Sequence, residues 1–221
     1  MVYITGDMHG EYKRFKDKKL KRLSEKDVLI ICGDFGFLWN NSAEERKLLR
    51  QIGGRKHKTL FLDGRHENFA LLKECDEAEL FGGKVGHICG NLYHLRRGEI
   101  YEIENESYFV FGGGCEDNLD MEQGEENNGA VPTMEEMRYG AEQLGRYNHT
   151  VDYILTHEPP FSYGVRMGRR FISEPFRFFL EEIFKNVSYQ RWFFGSLHTQ
   201  AAVGEKGQAV FAEIVPVHDK K

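Results

Sequence analysis

The chain has no apolar run approaching the roughly 20 residues that a membrane-spanning helix needs, which excludes such a helix. Its first 31 residues carry no secretory leader pattern, because Asp7, Glu11 and the Lys/Arg run from Lys13 interrupt any apolar segment. Cysteine is sparse: Cys32, Cys75, Cys89 and Cys115 are scattered without CxxC spacing, so neither a zinc knuckle nor a disulfide framework is expected. A reducing, cytoplasmic location follows as an expectation. Basic charge is not in excess, since 30 Lys and Arg stand against 35 Asp and Glu for a net charge of -5. That balance argues against strong binding to duplex nucleic acid as the main task. No internal repeat or low-complexity tract breaks the chain. What is present, 40% hydrophobic and 29% charged residues over 221 positions, suits one globular domain spanning 1–221 with a core needing no staple.

"MVYITG" reads as a first strand, and Glu11 to Leu23 as a helix with Tyr12, Phe15, Leu20 and Leu23 on one face. The Lys and Arg residues around that helix read either as a polyanion contact or as a solvated face, and the acidic whole favours the second. "DVLIICGD" is apolar throughout, as in a strand buried on both sides. "SAEERKLLRQIG" reads as a helix capped by Ser42 and ending at Gly53, and "KTLFLDG" as a third strand. This alternation predicts βαβ units and a parallel sheet. After residue 80, "NLYHLRRGEIYEIENESYFVFGGG" predicts antiparallel hairpins. Residues 116–132 read as an exposed polar loop, and a helix is expected from Thr133 to about Gly145. Then come the strand "VDYILTH", a polar loop, a helix near Pro175 to Lys185, the strand "RWFFGS" and a last strand "QAVFAEIVPV".

The polar residues fall in one topological place. The first strand ends in Asp7-Met8-His9-Gly10, the second in Gly33-Asp34, and the third in Gly64-Arg65-His66-Glu67. Later strands end in His157 and in Ser196-Leu197-His198. The carboxyl edge of an open α/β sheet is where ligands bind. Carboxylates mixed with imidazoles suit divalent Mn, Fe or Zn, whereas an all-oxygen set would suit Mg or Ca.

Taken in order, Asp-x-His, Gly-Asp, Gly-x-His-Glu, His and Gly-x-x-His resemble the calcineurin-like metallophosphoesterases, whose pattern is DxH, GDxx, GNH(D/E), H, GHxH. The resemblance runs from residue 7 to residue 198, and "ICGDFGFLW", "DGRHENF" and "VDYILTHEPP" also resemble small bacterial members. It implies a four-layer α/β sandwich, two mixed sheets flanked by helices, with the site at the strand ends. It further implies that Asp7, His9 and His198 hold one metal and that Asp34 bridges to a second. The family's second site also takes the Asn of GNH, the isolated His and the first His of GHxH. Those positions are Arg65, His157 and Ser196 here, so one site keeps all its ligands while the other keeps Asp34 and His157.

The resemblance implies a metal-dependent phosphoester hydrolase, with attack by a metal-bound hydroxide and His66 as general acid. Glu67 would hold the His66 ring, and Arg65, a permanent cation with a fork of donors matched to phosphate, would take over part of the missing cation's work. The alternatives are a catalytically silent phosphate- or nucleotide-binding regulator on the same fold, and a phosphoprotein phosphatase. The expected partner is a small phosphorylated substrate or nucleotide, with no membrane and no defined oligomeric state. Arg166, Arg169 and Arg170, just beyond the strand bearing His157, read either as a grip on additional phosphates or as solvated surface.

Overall fold

The computed structural model describes residues 1–115, 129–170 and 174–218. Two mixed sheets stack face to face. The first runs β13 (Val215–Pro216), β1 (Val2–Gly6), β2 (Val28–Cys32), β3 (Lys58–Leu62), β6 (Leu92–Leu95), β5 (Gly83–Cys89) and β4 (Asp76–Leu80). The second runs β11 (Ala201–Val203), β12 (Gly207–Ala209), β10 (Arg191–Phe194), β9 (Tyr153–Thr156), β8 (Glu106–Phe111) and β7 (Ile100–Ile103). Strands β1, β2, β3 and β6 are mutually parallel, as are β8, β9, β10 and β12. Each sheet therefore presents a carboxyl edge, and both edges feed the same crevice.

Three layers of apolar contact hold four layers of structure. Alternate residues of the parallel strands point to opposite faces. Ile4, Ile30, Leu60 and Leu62 meet Tyr108, Val110, Leu155 and Phe193 between the sheets. Leu29, Ile31 and Phe61 face outward against Leu49 and Ile52 of α2 (Ala43–Gly53) and against Phe15 and Leu20. On the far side Phe109, Ile154 and Trp192 pack under Met137 and Leu144 of α4 (Met134–Arg146) and Leu180 and Ile183 of α6 (Pro175–Asn186). These strands are apolar on both sides because both sides are covered, as their uninterrupted hydrophobic runs require.

Several expected elements form where local chemistry favours them. Ser42 accepts from the Glu45 amide to start α2. Thr133 and Glu136 exchange bonds in a complete capping box at the head of α4. Others differ from expectation. The helix expected over Glu11 to Leu23 is two pieces, a 3-10 turn at Tyr12–Lys16 and α1 (Lys18–Lys21), because Asp17 is extended and turns its side chain to cap Lys19. The segment expected as one final strand splits into β12 and β13, which join different sheets. α5 (Phe161–Arg166) lies in the expected polar loop after His157. Strands β4 and β5 and the short α3 (Phe69–Lys73) are additions. The expected loop 116–132 falls, up to residue 128, outside the described residues. Among the described residues no helix is long and apolar enough to cross a membrane.

Candidate metal centre

The residues singled out at the strand ends converge. One ligand atom from each of Asp7, His9, Asp34 and His198 lies within 4.8 Å of the other three. Asp7 and His9 follow β1, Asp34 follows β2, and His198 follows β10 of the other sheet. All four take left-handed backbone, with φ of 43° at Asp7, 45° at His9, 47° at Asp34 and 48° at His198. Each such non-glycine residue costs of order 1–3 kcal/mol, and such outliers gather at functional sites. Backbone bonds knit the two first-sheet loops together, His9 N–H donating to Asp34 O (2.8 Å) and Gly10 N–H to Phe35 O (3.1 Å).

The side chains are braced from behind. Asp34 Oδ1 accepts from the amides of Arg65 (2.8 Å) and His66 (2.9 Å), leaving Oδ2 3.6 Å from His9 Nε2. Asp7 Oδ1 accepts from the Ser196 amide at 3.0 Å. The His198 ring stacks on Phe211 at 5.0 Å, and the Arg14 guanidinium lies 5.5 Å from the centre of the same Phe211 ring. Arg14 also donates to the carbonyls of Asp7, Gly6 and Phe211, so it is a half-buried clamp on the end of β1 and no part of a solvated basic face. His157 is fully buried between the carboxylates, with Nδ1 3.7 Å from Asp7 and Nε2 3.6 Å from Asp34. Its Nδ1 faces the Cys32 carbonyl at 3.2 Å; a proton there leaves the Nε2 lone pair aimed into the site. Gly33, at φ 87°, is the space this ring uses, since a Cβ at that position would overlap the imidazole.

These residues fit a divalent cation. His9 and His198 bring their Nε2 atoms to 2.9 Å, both pointing at the shared centre. Burial and the surrounding imidazoles keep both rings below the usual His range despite the pull of Asp34. Neutral imidazole is the ligating form. Asp7 Oδ2 and His157 Nε2 are buried and find no hydrogen-bond partner among the described residues. Burial, joined by the charge of Asp34, pushes the Asp7 carboxyl up to about 7 even though His157 and the Ser196 amide oppose the shift. Asp34 is buried too, yet His157 and the His66 amide outweigh that and hold it below the usual carboxylate value. Two buried carboxylates with one histidine between them leave room for positive charge that a cation would supply.

The third strand's tip has its own arrangement. The Arg65 stem rests where Gly114 leaves room, since a Cβ there would collide with its Cγ, and its Nε comes 4.0 Å from Glu158. Glu158 is buried and its Oε1 accepts from the Ser196 hydroxyl at 3.2 Å. A guanidinium, a carboxylate and a hydroxyl thus occupy the neighbourhood of the positions that differ from the family pattern. His66 is exposed, its ring 5.7 Å from that of His9. Glu67 does not hold the His66 ring as expected. Its oxygens accept from the Phe35 (2.7 Å) and Gly36 (3.4 Å) amides and fix the loop after Asp34. Burial, with Asp34 nearby, pushes its carboxyl up to about 8.

Sequence reasoning missed Glu158, Arg14 and Asp63. Glu158 follows a quoted histidine directly, and an acid beside two prolines after a buried strand was the available signal. Asp63 directly follows β3 and is buried, accepting from His94 Nε2 (3.0 Å) and from Arg97 Nε (2.9 Å) and Nη2 (2.6 Å). No sequence pattern marks that three-way bond.

Against known proteins, a family model described as Metallophos, calcineurin-like phosphoesterase, matches residues 1–200. No curated protein matches. Among solved structures, the protein of unknown function AQ665 from Aquifex aeolicus is similar at 14% identity and a TM-score of 0.39, over 73% of this chain and 80% of that one.

Proposed function

The chain belongs to the calcineurin-like phosphoesterases, and from that premise we propose that it hydrolyses a small phosphomonoester or phosphodiester using one divalent cation. Family membership supports metal-dependent phosphoester hydrolysis as the general chemistry. The single observation that carries the one-cation reading is the convergence of Asp7, His9, Asp34 and His198, with the buried Asp7 Oδ2 lacking a hydrogen-bond partner among the described residues.

When bound, the cation would supply Lewis acidity toward a phosphoryl oxygen and activate water at neutral pH. The rest falls to the chain. Asp34 is held rigid by two amides, so it orients the centre without reorganising. Arg65 is seated on Gly114 beside Glu158, so its planar fork of donors is pre-placed for the charge that builds on the phosphoryl oxygens. His66 at the rim gives its proton to the leaving oxygen. Arg65 and Ser196 stand at two positions where the family pattern has ligands of a second ion, and in this reading Arg65 does part of that ion's work.

The test is metal content together with a panel of phosphate esters supplemented with Mn. One ion per chain and turnover are expected. The variant Arg65→Asn/Ser196→His should raise the count toward two, and an unchanged count would overturn the substitution of guanidinium for metal. Replacing His66 by Ala should slow esters with poor leaving groups by about 10²-fold or more and activated esters far less; equal losses would remove the acid role. A second reading, a phosphate-binding regulator without turnover, is favoured by one observation, that Arg65 and Ser196, which replace two ligands of the family pattern, both engage Glu158. Phosphate binding with no hydrolysis across metals and pH would establish it instead.

A further inference from the structure

A cavity of about 380 Å³ is lined by Arg166 and Arg169 together with Leu197, Thr199 and Gly204. Leu197 and Thr199 flank His198 in the chain, so the wall of this cavity begins one residue, about 3.8 Å in Cα spacing, from a metal-ligating position. Among the described residues its only charged lining residues are the two arginines, and no carboxylate lines it. Gly204 sits at φ 63° in the β11–β12 turn, and a Cβ there would collide with Arg166 Nη1. The turn is therefore shaped to let that guanidinium lie against it. The volume is within the range of small-ligand sites, about 300–1,000 Å³.

We propose that this cavity is a phosphate subsite that receives a second phosphate of the substrate while the scissile one sits at the Asp7–His198 centre. This rests on the phosphoesterase reading above, and it narrows the substrate class to small bisphosphates or polyphosphate esters. Guanidinium groups suit the role because each offers parallel N–H donors to phosphate oxygens and stays charged at every working pH. A phosphate distal to the reacting one also lets binding energy at the arginines position the scissile group. Arg170 does not line the cavity and takes no part.

The experiment pairs two measurements on Arg166→Ala/Arg169→Ala, whose replaced side chains are exposed, so the thermal midpoint should match the wild type. In steady-state assays with Mn, butyl phosphate should show unchanged kcat and KM. Butane-1,4-diyl bisphosphate should show a KM raised about tenfold or more, with Arg166→Lys/Arg169→Lys recovering most of it. Equal KM changes for both esters, or none, would overturn the subsite. Calorimetric titration of the metal-free protein with methylenebisphosphonate gives the second readout. The wild type should bind and the double alanine variant should lose about tenfold in affinity, and the same affinity in both, or no binding by the wild type at millimolar concentration, would overturn the subsite. If no ester is turned over by the wild type, the phosphoesterase reading fails, and the calorimetric comparison still decides the subsite.

Discussion

At the scale of single residues, His57 shows how burial beside a cation can set an acid limit. It is buried, its Nε2 has no hydrogen-bond partner among the described residues, and burial together with Arg55 pushes its pKa down to about 4. Its folded pKa lies below the unfolded value of 6.5, so between pH 6.5 and 4 the unfolded chain binds the extra proton. This contribution is complete above pH 6.5 and is lost as pH falls toward 4, at no more than about 1.4 kcal/mol per pH unit. Urea unfolding at pH 7 and pH 5 should show His57→Phe losing less stability across that interval than the wild type. Asp34 tests the centre itself: Asn keeps the left-handed backbone and the shape but removes the charge. Asp34→Asn should fold normally and bind Mn at least about 10²-fold more weakly by calorimetry. The aspartates and histidines of the centre were legible in sequence because each stands within four residues of a strand's carboxyl end. Glu158 was not, since its meaning depends on Arg65 and Ser196, which arrive from two other strands.

Among elements, the buried Asp63 joins three pieces, for it directly follows β3 and binds His94 of β6 and Arg97, which in turn reaches Glu136 of α4 at 3.2 Å. Burial opposes its ionisation, but Arg97 and His94 prevail and hold the carboxyl well below its usual value. A depressed folded pKa gives stability that is present above the unfolded value of 3.8 and lost as pH falls below it. Replacing Asp63 by Asn breaks a buried pair and should cost about 3–5 kcal/mol at pH 7, with a shallower loss on acidification, both read from denaturant midpoints. Helices α2, α4 and α6 were legible because caps and an N-terminal proline announce them. Strands β4 and β5 were not: Asp76, Glu77 and Glu79 make an exposed edge strand, whose charge guards against stray pairing and hides the β pattern. The tail was misread for a related reason, because its apolar letters serve two sheets in turn.

On the scale of the whole molecule, the centre draws Asp7, His9 and Asp34 from one sheet and His198 from the other. A cation bound there ties the two sheets and should stabilise the fold by mass action, by about 2.7 kcal/mol at a concentration 100-fold above its Kd. For a chain of this size that is a rise of about 5–11 °C in Tm, which scanning calorimetry should record with Mn and lose on adding EDTA; Asp34→Asn should show little of it. The doubly parallel, covered architecture was legible from unbroken apolar runs. How the two carboxyl edges meet was not, because periodicity describes a strand's faces and says nothing of where its end is aimed.

The order of the ligands along the chain has a consequence for biosynthesis. Asp7, His9 and Asp34 leave the ribosome before His198, which follows Asp34 by 164 residues. At about 5–20 residues per second, the nascent polypeptide spends roughly 8–30 s with three donors and no fourth. Any discrimination among ions that depends on the His198 imidazole can begin only after that wait.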